Sequence, residues 1–154
     1  FHDAAGLERA WMPMLQKTLA GKKRWSAGKV TLSLDVLMSE EEPGLLNVML
    51  RDYTLDPWRS AGTISVLPKG VIDVNGKRIP ARNGMWHHGV VSFELGGGSI
   101  ERISVFITND EGLNESLVVP FRDREFSTLT WLGISAGGES RSVTYLDNVE
   151  LRVE

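Results

Sequence analysis

Between Val30 and Met38 the chain alternates. Val30, Leu32, Leu34, Val36 and Met38 are apolar, and Thr31, Ser33 and Asp35 stand between them. A period of two puts successive side chains on opposite faces of an extended strand, so this segment reads as a strand with one buried face. Leu46, Val48 and Leu50 repeat the pattern after the charged run Glu40-Glu41-Glu42 and the turn dipeptide Pro43-Gly44. Further strand-like runs cover 63–67, 71–74, 86–95, 100–108, 116–120, 129–135 and 142–153. Asn75-Gly76 is a hairpin turn signal, and Gly96-Gly97-Gly98 and Ala136-Gly137-Gly138 mark two more turns. Only Leu7–Leu19 competes as a helix. Pro13 interrupts it, and Met14–Leu19 reads as a strand. About ten or eleven short strands with almost no helix predict an all-β fold, a two-sheet antiparallel β-sandwich of jelly-roll type.

Composition narrows the class. The 154 residues fit a single domain, 1–154. With 42% hydrophobic residues the chain can bury a core without staples. It has no cysteine, which excludes disulfides and thiolate metal sites but leaves the compartment open. A net charge of −3 argues against a nucleic-acid binder, which needs a basic face for phosphates. No apolar run reaches the ~18 residues of a spanning helix, so no membrane partner is expected. The start at Phe1, without a methionine, reads as a piece excised from a larger multidomain protein.

Several short motifs carry a resemblance. Gly84-Met85-Trp86-His87-His88-Gly89-Val90-Val91-Ser92-Phe93 resembles the W-H-H-V strand of laminin-G-like domains, which belong to the concanavalin A-like lectin/glucanase group. Gly89 stands where those domains carry a β-branched residue. Trp131-Leu132-Gly133-Ile134 and Tyr145-Leu146-Asp147-Asn148-Val149-Glu150-Leu151 are similar to the closing strands of that group and of jelly-roll carbohydrate-binding modules. Asp3-Ala4-Ala5-Gly6-Leu7, Arg51-Asp52 and Asn75-Gly76 are similar to residues of secreted bacterial polysaccharide-utilisation proteins. The resemblance implies a concanavalin A-like jelly roll, secreted or at the cell surface, that binds a glycan as an accessory module and often holds a structural calcium.

Catalysis has little support in the residues. Glucanases resembling this fold carry E-x-D-x-x-E on one strand, and the chain has no such motif. Asp147 and Glu150 are three apart, so regular alternation sends them to opposite faces. A lyase needs clustered Tyr, His, Arg and Gln. The chain offers Tyr53, Tyr145 and a single glutamine, Gln16. No catalytic residue is assigned.

Binding chemistry is easier to find. Trp58 lies in the polar loop Tyr53-Thr54-Leu55-Asp56-Pro57-Trp58-Arg59. An exposed indole stacks on the apolar face of a sugar ring, and neighbouring polar groups fix its hydroxyls. The competing reading makes Trp58 a lid over the core. With Leu46, Val48 and Leu50 inward, the other face shows Asn47, Met49, Arg51 and Tyr53, a stripe leading into that loop. It is either a ligand face or an ordinary solvated one. Trp86 and Trp131 sit within strand patterns and read as core; Trp11 and Trp25 are open. His87 and His88 point to opposite faces, so they cannot chelate one metal; His88 is kept as a ligand contact. Asp147 is in phase with Val143, Tyr145, Val149 and Leu151, which predicts an inward carboxylate. Backbone donors would satisfy it, as would a calcium shared with Asp3, since calcium takes six to eight oxygens. Asn114-Glu115-Ser116 is a glycosylation sequon, weak in a chain with bacterial resemblances.

The expectation is a non-catalytic module that recognises a polysaccharide or oligosaccharide through Trp58, Tyr53, Arg51, Asn47 and His88 and targets an attached catalytic domain of the same chain. The alternatives are a hydrolase or lyase domain of the same fold, and a structural sandwich packing on a catalytic neighbour.

Overall fold

The computed structural model describes residues 1–4, 12–19, 25–96, 101–137 and 141–154. Among them are twelve strands and no helix: β1 (His2–Asp3), β2 (Met14–Thr18), β3 (Gly28–Met38), β4 (Leu45–Asp52), β5 (Arg59–Leu67), β6 (Val71–Val74), β7 (Lys77–Pro80), β8 (Trp86–Leu95), β9 (Arg102–Asn109), β10 (Asn114–Pro120), β11 (Trp131–Gly137) and β12 (Ser142–Val153). They form two six-stranded sheets. The first runs β1-β12-β3-β8-β9-β10 and the second β2-β11-β4-β5-β6-β7. Every pairing is antiparallel.

The alternation sets the packing. Val30, Leu32 and Leu34 of β3, Val91 and Phe93 of β8, and Ile103, Val105 and Ile107 of β9 face Leu46, Val48 and Leu50 of β4 and Leu132 and Ile134 of β11 in one core. Phe93, Phe121 and Phe126 meet edge-on, with centroids 5.4–6.0 Å apart, the geometry aromatic quadrupoles favour. Asn75 and Gly76 both take positive φ, 50° and 84°, which gives the β6–β7 hairpin the twist its strands need. Gly89 keeps its ladder position, opposite Leu34 and Ile107.

The differences from the pattern have local causes. β5 begins at Arg59 rather than at Thr63. A register shift sets Leu50 opposite Gly62 but Arg51 opposite Ser60, and this extra residue hides the alternation. The inward orientation expected of Asp147 is not found. β12 carries a bulge between Asp147 and Glu150, with Asn148 at φ 50°. One inserted residue switches the phase, so Leu146 and Leu151 turn toward the core while Asp147 and Glu150 are both exposed. The two carboxylates therefore share the outer face instead of opposing one another, and Glu150 pairs with Arg152 at 2.7 Å. Trp86, expected in the core, is 42% exposed. Trp25 is partly buried against the core. Residues 5–7 of the first motif, Trp11, residues 97–100 with Gly97 and Gly98 of the glycine turn, and Gly138 lie outside the described residues.

Candidate functional site

Residues of β2, β4 and β11 bound a depression of about 460 Å³ on the outer face of the second sheet. Met14, Gln16, Asn47, Met49, Arg51, Tyr53, Trp131 and Ser135 line it. Parity puts them there. Leu46, Val48 and Leu50 take the inner positions of β4, leaving Asn47, Met49 and Arg51 outside; Leu132 and Ile134 do the same on β11, leaving Trp131, Gly133 and Ser135. Trp131 lies opposite Arg51 in the ladder.

Trp131, like Trp86, lies outside the core cluster expected to hold it. It is only 6% exposed, yet its indole does not enter the sandwich interior. It lies across Gly133, where an added Cβ would fall among the ring atoms, 2.6 Å from both Cζ2 and Cζ3. Trp131 Nε1 donates to Gln16 Oε1 at 3.2 Å. The ring is covered by the site itself, chiefly by Tyr53, edge-on at 5.9 Å, and by Arg51.

Arg51 is clamped between two indoles. Its Cζ stands 4.1 Å from the Trp58 ring centroid and 4.9 Å from that of Trp131. Nη1 donates to the Tyr53 hydroxyl at 2.9 Å and Nη2 points at Met49 Sδ at 3.1 Å. Among the described residues no carboxylate makes an ion pair with it. A guanidinium has five N–H donors in one plane, so most of this fork is unspent and its orientation is already fixed.

The Trp58 loop is tied down at both ends. Tyr53 N donates to Thr130 Oγ1 at 2.8 Å. Thr54 donates to Asp52 Oδ1 through its backbone N–H, 2.8 Å, and its hydroxyl, 2.6 Å. Asp52 is fully buried and its Oδ2 has no hydrogen-bond partner among the described residues, a cost accepted where the carboxylate anchors the loop. At the other end Arg59 Nη1 donates to the Pro57 carbonyl at 2.6 Å, and Arg59 Nε to Glu125 Oε2 at 2.6 Å. Trp58, 38% exposed, rests on Arg51 and, tilted, on Tyr53 at 6.3 Å. It is absent from the core cluster.

Asn47, Arg51, Tyr53 and Trp58 are therefore brought together as expected. Asn47 Oδ1 accepts from the Ser65 hydroxyl at 2.8 Å. His88 is not brought to them. It stands on β8 in the first sheet and faces outward on the opposite side of the sandwich. There its Nδ1 meets Asp35 Oδ1 at 2.6 Å, while Asn148 Nδ2 donates to Asp35 Oδ2 at 2.6 Å. His87 is buried, with Nε2 at the Arg82 backbone.

Asp3 and Asp147 do not meet either. Asp3 is buried opposite Ser142, five positions along β12 from Asp147. Its Oδ1 accepts from Ala4 N, and its Oδ2 has no partner among the described residues. Asp147 Oδ1 caps Asn148 N at 2.8 Å in the bulge. The expected calcium pair does not fit this geometry, and the described residues hold no group of three or more His, Asp or Glu that could bind a metal.

The Asn148 amide, and after it His88, hold the Asp35 carboxyl below its ordinary value of about 3.9, against the upward push of burial. A lowered folded value stabilises above the ordinary pKa, and this contribution is lost as pH falls through the folded value. Asn148→Gly keeps the positive φ and removes the amide. Its Asp35 carboxyl should titrate higher by NMR, and the variant's stability deficit should vanish at the acid end.

No protein-family model matches the chain, and no curated protein matches it. Solved structures do. The alginate lyase of the marine PL-14 group from Aplysia kurodai superposes with a TM-score of 0.58 at 10% identity, over 84% of this chain and 71% of that one. Lotus tetragonolobus seed lectin gives 0.55 at 7% identity, over 87% and 80%. Congerin II with lactose and MES bound gives 0.53 at 11% identity, over 90% and 99%. At such identities the likeness speaks of fold. The chain has the jelly-roll fold of the concanavalin A-like lectins and glucanases.

Proposed function

We propose that this domain is a non-catalytic carbohydrate-binding module that recognises an acidic polysaccharide at the Arg51–Trp58–Trp131 site and brings an attached enzyme to it. The fold is shared with a seed lectin and an alginate lyase, which supports a carbohydrate ligand. The observation that carries the reading is the state of Arg51: held between two indoles, without a carboxylate partner among the described residues, and with N–H donors to spare. A carboxylate or sulfate on a sugar takes two parallel N–H bonds from such a fork. Trp58 then supplies the apolar face for the ring, and Asn47 and Gln16 supply amide groups for hydroxyls. The loop ties at Asp52, Thr130 and Arg59 fix the platform in advance, which lowers the ordering cost of binding. A secreted or cell-surface location follows from such a ligand.

Affinity electrophoresis through gels holding alginate, pectate, a sulfated galactan or neutral glucans tests the reading. Carboxylated or sulfated polymer should retard the protein, and the retardation should weaken as salt rises, because the Arg51 contact is screened. Binding that ignores salt and polymer charge contradicts it.

One observation favours a second reading. The depression gathers Gln16, Arg51 and Tyr53, three of the residue types a uronate β-elimination requires. Arg51 and Gln16 would bind the uronate carboxylate, and Tyr53, as phenolate, would take the C5 proton and return it to the glycosidic oxygen as the C4–O bond breaks and the C4–C5 double bond forms. A rise in ultraviolet absorbance from unsaturated uronate in the same alginate or pectate mixtures identifies a lyase, and its absence leaves the binding module.

A further inference from the structure

We propose that the outer face of the first sheet is a second glycan-binding site, with preference for a neutral chain. Tyr145, Leu37 and Trp86 stand side by side on β12, β3 and β8. Tyr145 is 51% exposed and Trp86 42%. Two strand spacings separate their backbones by roughly 9–10 Å, so one extended pyranose chain laid across the strands touches both rings. The next row, two residues along, is polar: Asp147, Asp35 and His88 are cross-strand neighbours on the same strands. This row is rigid, because Asp35 is held at both oxygens, by His88 and by Asn148. An apolar row beside a fixed polar row matches the two edges of a sugar chain, its C–H face and its hydroxyls.

The chemistry of the polar row selects the occupant. An ionised carboxylate only accepts hydrogen bonds. Asp35 and Asp147 thus call for a ligand rich in donors. Hydroxyl groups supply them, whereas an acidic polymer would bring more acceptors and meet repulsion from Asp35 and Asp147. A protein partner would have to strip water from two neighbouring carboxylates to reach the Tyr145–Trp86 row, which is unfavourable. The preference is thus opposite to that of the Arg51 face, and the domain would hold unlike polymers on its two sides.

The test is isothermal titration of the domain with soluble neutral polymers, glucomannan, xyloglucan and laminarin, and separately with alginate. Wild type, Trp86→Ala, Tyr145→Ala and Trp58→Ala are compared, each first checked for an unchanged unfolding midpoint. At least one neutral polymer should bind, Trp86→Ala should weaken it tenfold or more, Tyr145→Ala should weaken it several-fold, and Trp58→Ala should leave it unchanged. Alginate binding should be untouched by Trp86→Ala, so the two sites fail separately. Absence of neutral-polymer binding by the folded wild type overturns the proposal. So does neutral binding lost in Trp58→Ala and kept in Trp86→Ala, which would mean one site only. A concentration-dependent dimer in sedimentation that Trp86→Ala dissociates also overturns it, and assigns the face to a second copy of the chain.

Discussion

Gly133→Ala is expected to cost the domain about 1–3 kcal/mol and to lose its Arg51-site ligand together with that stability. The position is buried between β2 and β4, opposite Gln16 on one side and Met49 on the other. A methyl group there falls among the atoms of the Trp131 ring. An indole is rigid and cannot yield by bending its far end, so the whole ring must leave its seat. With it go the edge contact to Tyr53, the bond to Gln16 and one wall of the Arg51 clamp. Arg51 then regains rotamers that binding must freeze again, which lowers affinity further. Urea unfolding reads the stability loss as a lower midpoint with an unchanged slope. The mechanism has its own control. In a Trp131→Leu background the ring is gone, and Gly133→Ala should then cost less than about 0.5 kcal/mol, a coupling that a double-mutant cycle exposes. An equal cost in both backgrounds would mean that the strand, and not the ring, objects to the methyl.

Arg51→Ala should weaken acidic-glycan binding by about 1–3 kcal/mol, roughly tenfold to a hundredfold, as truncation of a central anchor does. Arg51→Lys should recover little of it. Lysine keeps the charge but not the planar fork, and it stacks less well between indoles. Trp58→Ala should cost a similar share of affinity while changing stability by less than about 0.5 kcal/mol, because the ring rests on Arg51 and Tyr53 outside the core. If Trp58→Ala instead lowers stability by about 3 kcal/mol or more, the indole supports the fold and the ligand platform is lost as an explanation.

The sandwich was legible because alternation is a direct consequence of strand geometry. β3 and β4 obey it at nearly every position, and the stripe from Asn47 to Tyr53 follows from the same parity. The reading failed where one residue breaks the period. The bulge at Asn148 reverses the phase of β12, so counting back from Leu151 sent Asp147 and Tyr145 inward when both are exposed. Trp131 failed for another reason. Its size and its place in a strand suggested core, but the parity of Leu132 and Ile134 already put it outside, and Gly133 two positions on leaves the room its ring occupies. That pair was a usable signal. Gln16 gave none, because β2 is mostly exposed and nothing in it marks a face. His88 could not be assigned from sequence, since parity tells which face of its own sheet a residue takes and not which sheet that strand joins.

The most direct test of an acidic-glycan site at Arg51 is an NMR titration of the isotope-labelled domain with a carboxylated oligosaccharide, read at the indole N–H signals of its five tryptophans. Trp58→Phe and Trp131→Phe assign the two that matter. The signals of Trp58 and Trp131 should move together along one saturating curve, Trp86 should stay in place, and Arg51→Ala should abolish the movement. Signals of Trp58 and Trp131 that stay fixed while Trp86 moves, or a response that survives Arg51→Ala unchanged, would contradict it.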